Sequence, residues 1–396
     1  MPDEGVPEEP TPDARPDVSL ATVAKEWGRI GCTGFGGPPT HIAMFRRLVV
    51  EREAWLSATE FEDAIAATNL LPGPASTQLA IFCAWRVRGV RGALIGGACF
   101  ICPGLVLIVA LSALFLASNA PTWVKGAALG AGAAVAPVAL NAALGLVPAS
   151  WRRAGAATSR RARWVLYTLA GGLAAATVGP YLVIVLIGCG LVETVVGGGL
   201  RPSPRMRSVV LAPLGLVATG GLGALSWVAL KVGALSFGGG FVIIPLMQAD
   251  AVHRYHFMTG TQFLNAVALG QITPGPVVQT VSVVGYAAAG VGGALLAALV
   301  AFAPSFVFIL ALGRHFGALR TNSVAQSFLG GAGPAAVGAI AGAAIPLALA
   351  ITQGWQLVIL GASLLVVVGL RRGVVLTLVA AGLIGAVGAL LGLPVG

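Results

Sequence analysis

Two short motifs, each present twice, place helix-breaking residues inside otherwise apolar segments. Gly34-Phe35-Gly36-Gly37-Pro38-Pro39 is matched by Ser236-Phe237-Gly238-Gly239-Gly240, and Leu70-Leu71-Pro72-Gly73-Pro74 by Ile272-Thr273-Pro274-Gly275-Pro276. Gly-Gly and Pro-Gly-Pro interrupt the i→i−4 ladder and leave backbone N–H groups without partners. In hydrocarbon each such group costs several kcal/mol unless the backbone lines a polar cavity. A helix that restarts after the break presents free N–H groups and the positive end of its dipole, which together attract an anion. Gly36, Gly37, Gly238 and Gly239 are therefore candidates for close backbone approach to an anion. Asn69 and Gln271 stand just ahead of the second break in each copy. Ser76, Thr77 and Gln78 follow one break and Gln279 the other, so hydroxyls and amides are available as neutral donors. Helix capping and interhelical hydrogen bonding are the plainer roles for the same amides.

Four cations lie near these breaks in matched pairs, Arg29 with Lys231 and Arg52 with Arg254. A cation inside a span is costly and calls for an anionic partner; snorkelling to the interface is the alternative. Intramembrane carboxylates are scarce, with Asp63, Glu193 and Asp250 standing out, which argues against a cation pathway. Asp250 and His253, beside Arg254 and His256, are candidates for a proton relay, against the simpler reading of a solvated loop. No HExxH, GxxxxGK[ST] or GxSxG motif occurs, and the four histidines are too scattered for a metal cluster. Neither an enzyme nor a resident cofactor is expected.

The elements that must hold these residues come from a duplication. Shifting the chain by 202 residues lays segment 31–74 on 233–276 without a gap, with fourteen of 44 pairs identical; chance in such a composition would give about four, and a repeat of this kind sets the architecture. Downstream apolar spans correspond as well: 92–118 with 294–313, 122–149 with 327–352, and the short pair 164–197 with 355–392.

Arginine placement indicates how the halves are oriented. Arg86-Arg88-Arg91, Arg152–Arg163 and Arg201–Arg207 are separated by helical hairpins and can share the cytoplasmic side. In the second half the counterpart of Arg86–Arg91 is uncharged, and the basic loops move to Arg314–Arg320 and Arg371-Arg372, one span out of phase. An inverted duplication has this pattern. The expected fold is an all-α polytopic membrane protein, an inverted-topology duplication with broken or re-entrant helices in each half. Its expected divisions are an acidic, proline-rich tail at 1–18, an N-terminal repeat at 19–200, a linker at 201–220 and a C-terminal repeat at 221–396.

Composition agrees. Of 396 residues, 57% are hydrophobic and 10% charged, against about 25% charged in a soluble protein. Too few polar side chains exist to cover a soluble surface; the lipid bilayer is the expected surrounding. The net charge of +10 sits in short clusters between apolar runs, without the interleaved aromatics of a nucleic-acid face. Cys99 and Cys102 have CxxC spacing but lie in an apolar run without a partner pair, as packing thiols would.

Gly-Phe-Gly-Gly-Pro followed by His41-Ile42-Ala43-Met44, then Leu-Pro-Gly-Pro-Ala-Ser-Thr-Gln at 71–78, resembles the chromate ion transporter family. Ser-Phe-Gly-Gly-Gly and Thr-Pro-Gly-Pro-Val-Val-Gln-Thr in the second half resemble the C-terminal domain of its long, two-domain form. The resemblance spans about 20–392. It implies export of chromate across the cytoplasmic membrane, chromate resistance, and sulfate as a competing analogue. It also implies energy drawn from the membrane potential or a proton gradient. Gly240 stands where the first half has Pro38, and Ile243 where it has His41, so the halves need not contribute equally. Whether the chain works as a homodimer is left open.

Overall fold

The computed structural model describes residues 18–69, 71–117, 119–177, 182–197, 220–236, 242–313 and 322–395. The tail at 1–17, the linker at 201–219, the basic loop at 314–321 and the break residues Gly238 and Gly239 lie outside them. The described residues are helical, with no strand among them.

Each half opens with two helical hairpins. In the first half α1 (Leu20–Thr33) and α2 (Pro38–Arg46, prolonged by a π turn at Arg47–Arg52) run antiparallel. Arg52 reaches back to Glu26 at 2.9 Å, and Trp27 packs on Phe45 with ring centroids 5.5 Å apart. The Gly-Phe-Gly-Gly-Pro break is thus the tip of a re-entrant hairpin. A second hairpin pairs α3 (Ala58–Thr68) with the start of α4 (Ala75–Phe115), its tip at Pro72-Gly73-Pro74. Ion pairs Arg46–Glu62 and Arg86–Glu60 tie the bases of both hairpins to one face.

A straight helix of 41 residues would extend about 60 Å, twice a hydrocarbon core of roughly 30 Å. Instead α4 folds back at Arg88–Gly89, where Gly89 takes φ +63°, a value costly for any residue with a Cβ. Its short arm, 75–87, climbs from the tip to the face, and its long arm, 90–115, crosses the whole layer. The apolar span read as 92–118 is therefore this long arm, and Arg86, Arg88 and Arg91 mark the turn.

The second half repeats the plan. α9 (Gly221–Leu235) and α10 (Ile243–Gln248) are followed by a π turn at Ala249–Arg254, offset by 202 from Arg47–Arg52. Next come α11 (Gly260–Ile272), the Pro274-Gly275-Pro276 tip, and α12 (Thr280–Leu312), which folds back at Ala289–Gly290 with Gly290 at φ +60°. After the tip the offset drops to 201, so that Arg88–Gly89 matches Ala289–Gly290 and Pro103 matches Pro304. A 3₁₀ turn at Val277–Gln279 replaces the first α-turn and absorbs the missing residue.

The long arm of α4 packs against α12, with Phe306 lying against Gly97, and the end of α12 reaches the short arm of α4, with Gly313 against Trp85. α5 (Thr122–Ala133) and α6 (Val135–Ala154) return across the layer, followed by the hairpin α7 (Thr158–Thr177) and α8 (Leu182–Val196). Their second-half counterparts are α13 (Ser323–Leu349) and the hairpin α14 (Gly354–Leu364) and α15 (Val374–Leu390). Each half's last hairpin packs on the other half: α13 on α7 and α8, and α15 on α5. Backbones touch where α5 crosses α15, because a Cβ at Gly126 would collide with the Gly385 carbonyl, and one at Gly385 with Gly126. Small residues at such crossings are what lets helices associate in lipid. Four helical stretches among the described residues are long and apolar enough to cross a bilayer.

Candidate functional site

The tips converge between the halves. The Gly275 N–H donates to the Gly34 carbonyl at 3.0 Å, joining the second tip of one half to the first tip of the other. His41 Nε2 lies 2.9 Å from the same carbonyl oxygen. Gly104 of the α4 long arm touches the Pro274 carbonyl so closely that no Cβ fits there.

A cavity of about 380 Å³ opens beside these tips. Gly36, Gly37 and Pro38 contribute the hairpin tip, Asn69 and Ala75 flank the second break, and Gln271 comes from the other half. Gly36 and Gly37, on the cavity wall, hold φ values of +102° and +77°, a backbone conformation that a residue with a Cβ adopts only at a cost. The Nε2 of Gln271 is buried without a partner in the structure, as a donor awaiting an acceptor would be. The first N–H groups of α4, at Ala75 and Ser76, have no intrahelical acceptor. By contrast Pro38 and Pro39 start α2 without N–H groups, so that helix offers the cavity less than its dipole alone suggests. Among the described residues that line the cavity none is charged.

Asn141, on α6, is a lining residue that the sequence analysis did not single out. Nothing local marks it, because α6 carries no break. An uncharged polar residue within an apolar span was its one signal.

Other expected residues are placed elsewhere. Ser76, Thr77 and Gln78 are buried behind the tip rather than on the cavity wall. Gln78 donates to the Pro72 carbonyl and Gln279 to the Ile101 carbonyl, each at 2.7 Å. A buried amide takes the nearest carbonyl that a broken helix leaves free. Arg29 and Arg52 are 52% and 41% exposed and both reach Glu26, at 2.8 and 2.9 Å. Glu26, three residues before Arg29 on the same helix face, is the carboxylate that both arginines share. Lys231 is paired with Asp250, whose side chain is 1% exposed, and its ammonium lies 5.6 Å from the centre of the Trp227 ring. Arg254 is exposed and rests over Tyr255 at 5.2 Å, and His253 is exposed. The structure thus brings Gly36, Gly37, Asn69 and Gln271 together and leaves the four cations outside the cavity. Among the described residues no group of acids, histidines and cysteines could hold a metal ion.

A helical membrane protein whose homologous halves meet at the tips of re-entrant hairpins, around a largely apolar cavity with a few convergent amides, has the build of a transporter. The chain belongs to the chromate transporter family, which it matches over residues 21–194 and 223–386. It is 30% identical over 347 residues to a chromate transport protein of Cupriavidus metallidurans, covering 84% of each chain. It is 30% identical over 364 residues to a chromate transport protein of Pseudomonas aeruginosa, covering 88% of this chain and 86% of that one. A probable chromate transport protein of Synechococcus elongatus is 29% identical over 344 residues, covering 84% and 85%. No solved structure matches the chain significantly.

Proposed function

We propose that this protein is a secondary transporter that exports chromate, a divalent tetrahedral oxyanion, across the cytoplasmic membrane and so confers chromate resistance. The observation that carries the reading is one cavity fed from both halves with neutral donors and no charged wall: Asn69, Asn141 and Gln271 amides beside the start of α4. Neutral donors in a water-poor site hold a dianion without binding it so tightly that release stalls. Family membership supports chromate as the substrate. Sulfate, of the same shape and charge, is the second reading on the same donors.

The halves are inverted in the membrane, with the hairpin bases of the first half and the Arg152–Arg163 loop in the cytoplasm. The out-of-phase basic loops of the two halves support this arrangement. Access alternates as the tips of one half move against those of the other.

The driving force is electrical. Each elementary charge crossing 100 mV is worth about 2.3 kcal/mol, so two charges leaving a negative interior supply about 4.6 kcal/mol. That sustains a concentration ratio above a thousandfold, at about 1.4 kcal/mol per decade. Chromate flux into inverted vesicles at defined potential and pH, with sulfate as competitor, tests the reading. Absence of flux, or flux of sulfate untouched by chromate, overturns it.

A further inference from the structure

A second cavity, about 320 Å³, lies on the face of the basic loops, where the end of α6 meets α7, α8 and α13. Arg153, Arg160, Arg163 and Glu193 are its ionisable wall. Glu193 is already satisfied: Arg163 grips it through Nε at 2.6 Å and Nη2 at 2.9 Å, and the Tyr167 hydroxyl donates to it at 3.1 Å. Arg153 and Arg160 form no ion pair with an acid among the described residues, although the Arg160 charge acts on Glu193 from a distance, so three cations and one anion leave a net charge of two positives on one cavity. Ser327 of α13 also lines the cavity and carries a hydroxyl that can serve as a further donor.

The surroundings indicate which anion. Trp151 and Trp164 meet edge to face at 4.9 Å beside the cavity, and Arg161 lies over Trp151 at 5.2 Å. Tryptophan in this position marks the headgroup level of a bilayer. From Arg163 the α7 surface continues as Leu166, Leu169 and Leu173, all exposed and spaced along one face as acyl chains would require. A free oxyanion has no use for that stripe. Basic pockets between membrane helices suit anionic headgroups.

We propose that this cavity holds the phosphate group of an anionic phospholipid. Arg153 and Arg160 grip the oxygens, and the Glu193–Arg163–Tyr167 cluster fixes the floor. The lipid sits where the last hairpin of one half meets α13 of the other, so its occupancy stabilises the seam between halves. This does not depend on which oxyanion is transported.

The test uses the full-length protein in detergent, with short-chain phosphatidylglycerol, phosphatidylcholine and inorganic phosphate as probes. Native mass spectrometry and thermal unfolding give the readouts. Phosphatidylglycerol binds and raises the melting temperature, and its affinity falls at least tenfold in Arg153→Gln/Arg160→Gln. Arg153→Lys/Arg160→Lys keeps part of it, because the charges remain while the planar fork is lost. Arg371→Gln/Arg372→Gln removes the same charge from an exposed loop outside this cavity and changes affinity less than twofold. Equal loss in both Gln pairs makes the effect general surface charge and overturns the site. Inorganic phosphate binding as well as phosphatidylglycerol overturns the lipid assignment, and phosphatidylcholine binding equally overturns the demand for net negative charge.

Discussion

The Gly275 N–H and the Gly34 carbonyl, 241 positions apart in the chain, meet in a hydrogen bond of 3.0 Å. Each belongs to a helix break, and each break would otherwise leave a polar group facing hydrocarbon. The bond therefore satisfies two broken helices at once and fixes one half against the other. His41 supports it from one side through the same oxygen, while Ile243 occupies the corresponding place in the second half.

Gly275→Ala tests that contact. There is room for the methyl, whose nearest neighbours would be 3.6 Å away, but φ at this position is +93°. The expected loss is about 1–2 kcal/mol from backbone strain alone. Thermal unfolding of the detergent-purified protein measures it, and an unchanged melting temperature would contradict the role assigned to the tip.

Asn69→Leu and Gln271→Leu each remove one neutral donor from the cavity. Each should weaken oxyanion binding by about 1–2 kcal/mol, roughly five- to thirtyfold. Asn141→Leu belongs in the same series. Half-saturation of vesicle flux is the measurement; wild-type affinity in all three variants moves the site elsewhere.

Lys231 and Asp250 form an ion pair with little access to water, their side chains 11% and 1% exposed. Removing either partner strands a charge, at an expected cost of about 3–5 kcal/mol, whereas the pair Lys231→Met/Asp250→Leu should recover most of the stability. Melting temperatures of the singles and the double close the cycle. The same double variant tests coupling. Flux that still rises with potential at fixed pH, within tenfold of wild type, agrees with electrical drive; flux that follows only the pH gradient and disappears here means proton antiport through Asp250.

Sidedness has its own measurement. On a background without the five cysteines, a cysteine at Ser159 should react with an impermeant reagent from the cytoplasm. Cysteines at Ala289 and Val395 should react from outside. Labelling of all three from one side would remove the inverted arrangement.

Much of this protein is written in local features of its sequence. Apolar composition decides for a membrane because burial of side chains in lipid is additive over residues. The duplication and its breaks are equally local: Gly-Gly and Pro-Gly-Pro stop a helix whatever surrounds them. The matched positions of Asn69 and Gln271 pointed to one cavity because each sits directly at a break. What the breaks become was decided by packing. Residues 34–39 make the tip of a hairpin because Glu26 meets Arg52 and Trp27 meets Phe45 across it, and those contacts depend on the return of α2. Long polar side chains were the least legible part. Arg29, Arg52, Lys231 and Gln279 can each reach several partners, and the choice of Glu26, Asp250 or the Ile101 carbonyl rests on which backbone comes within about 3 Å. Asn141 entered the site in the same way, carried by a helix without any break of its own, because α6 packs along the open side of the tips.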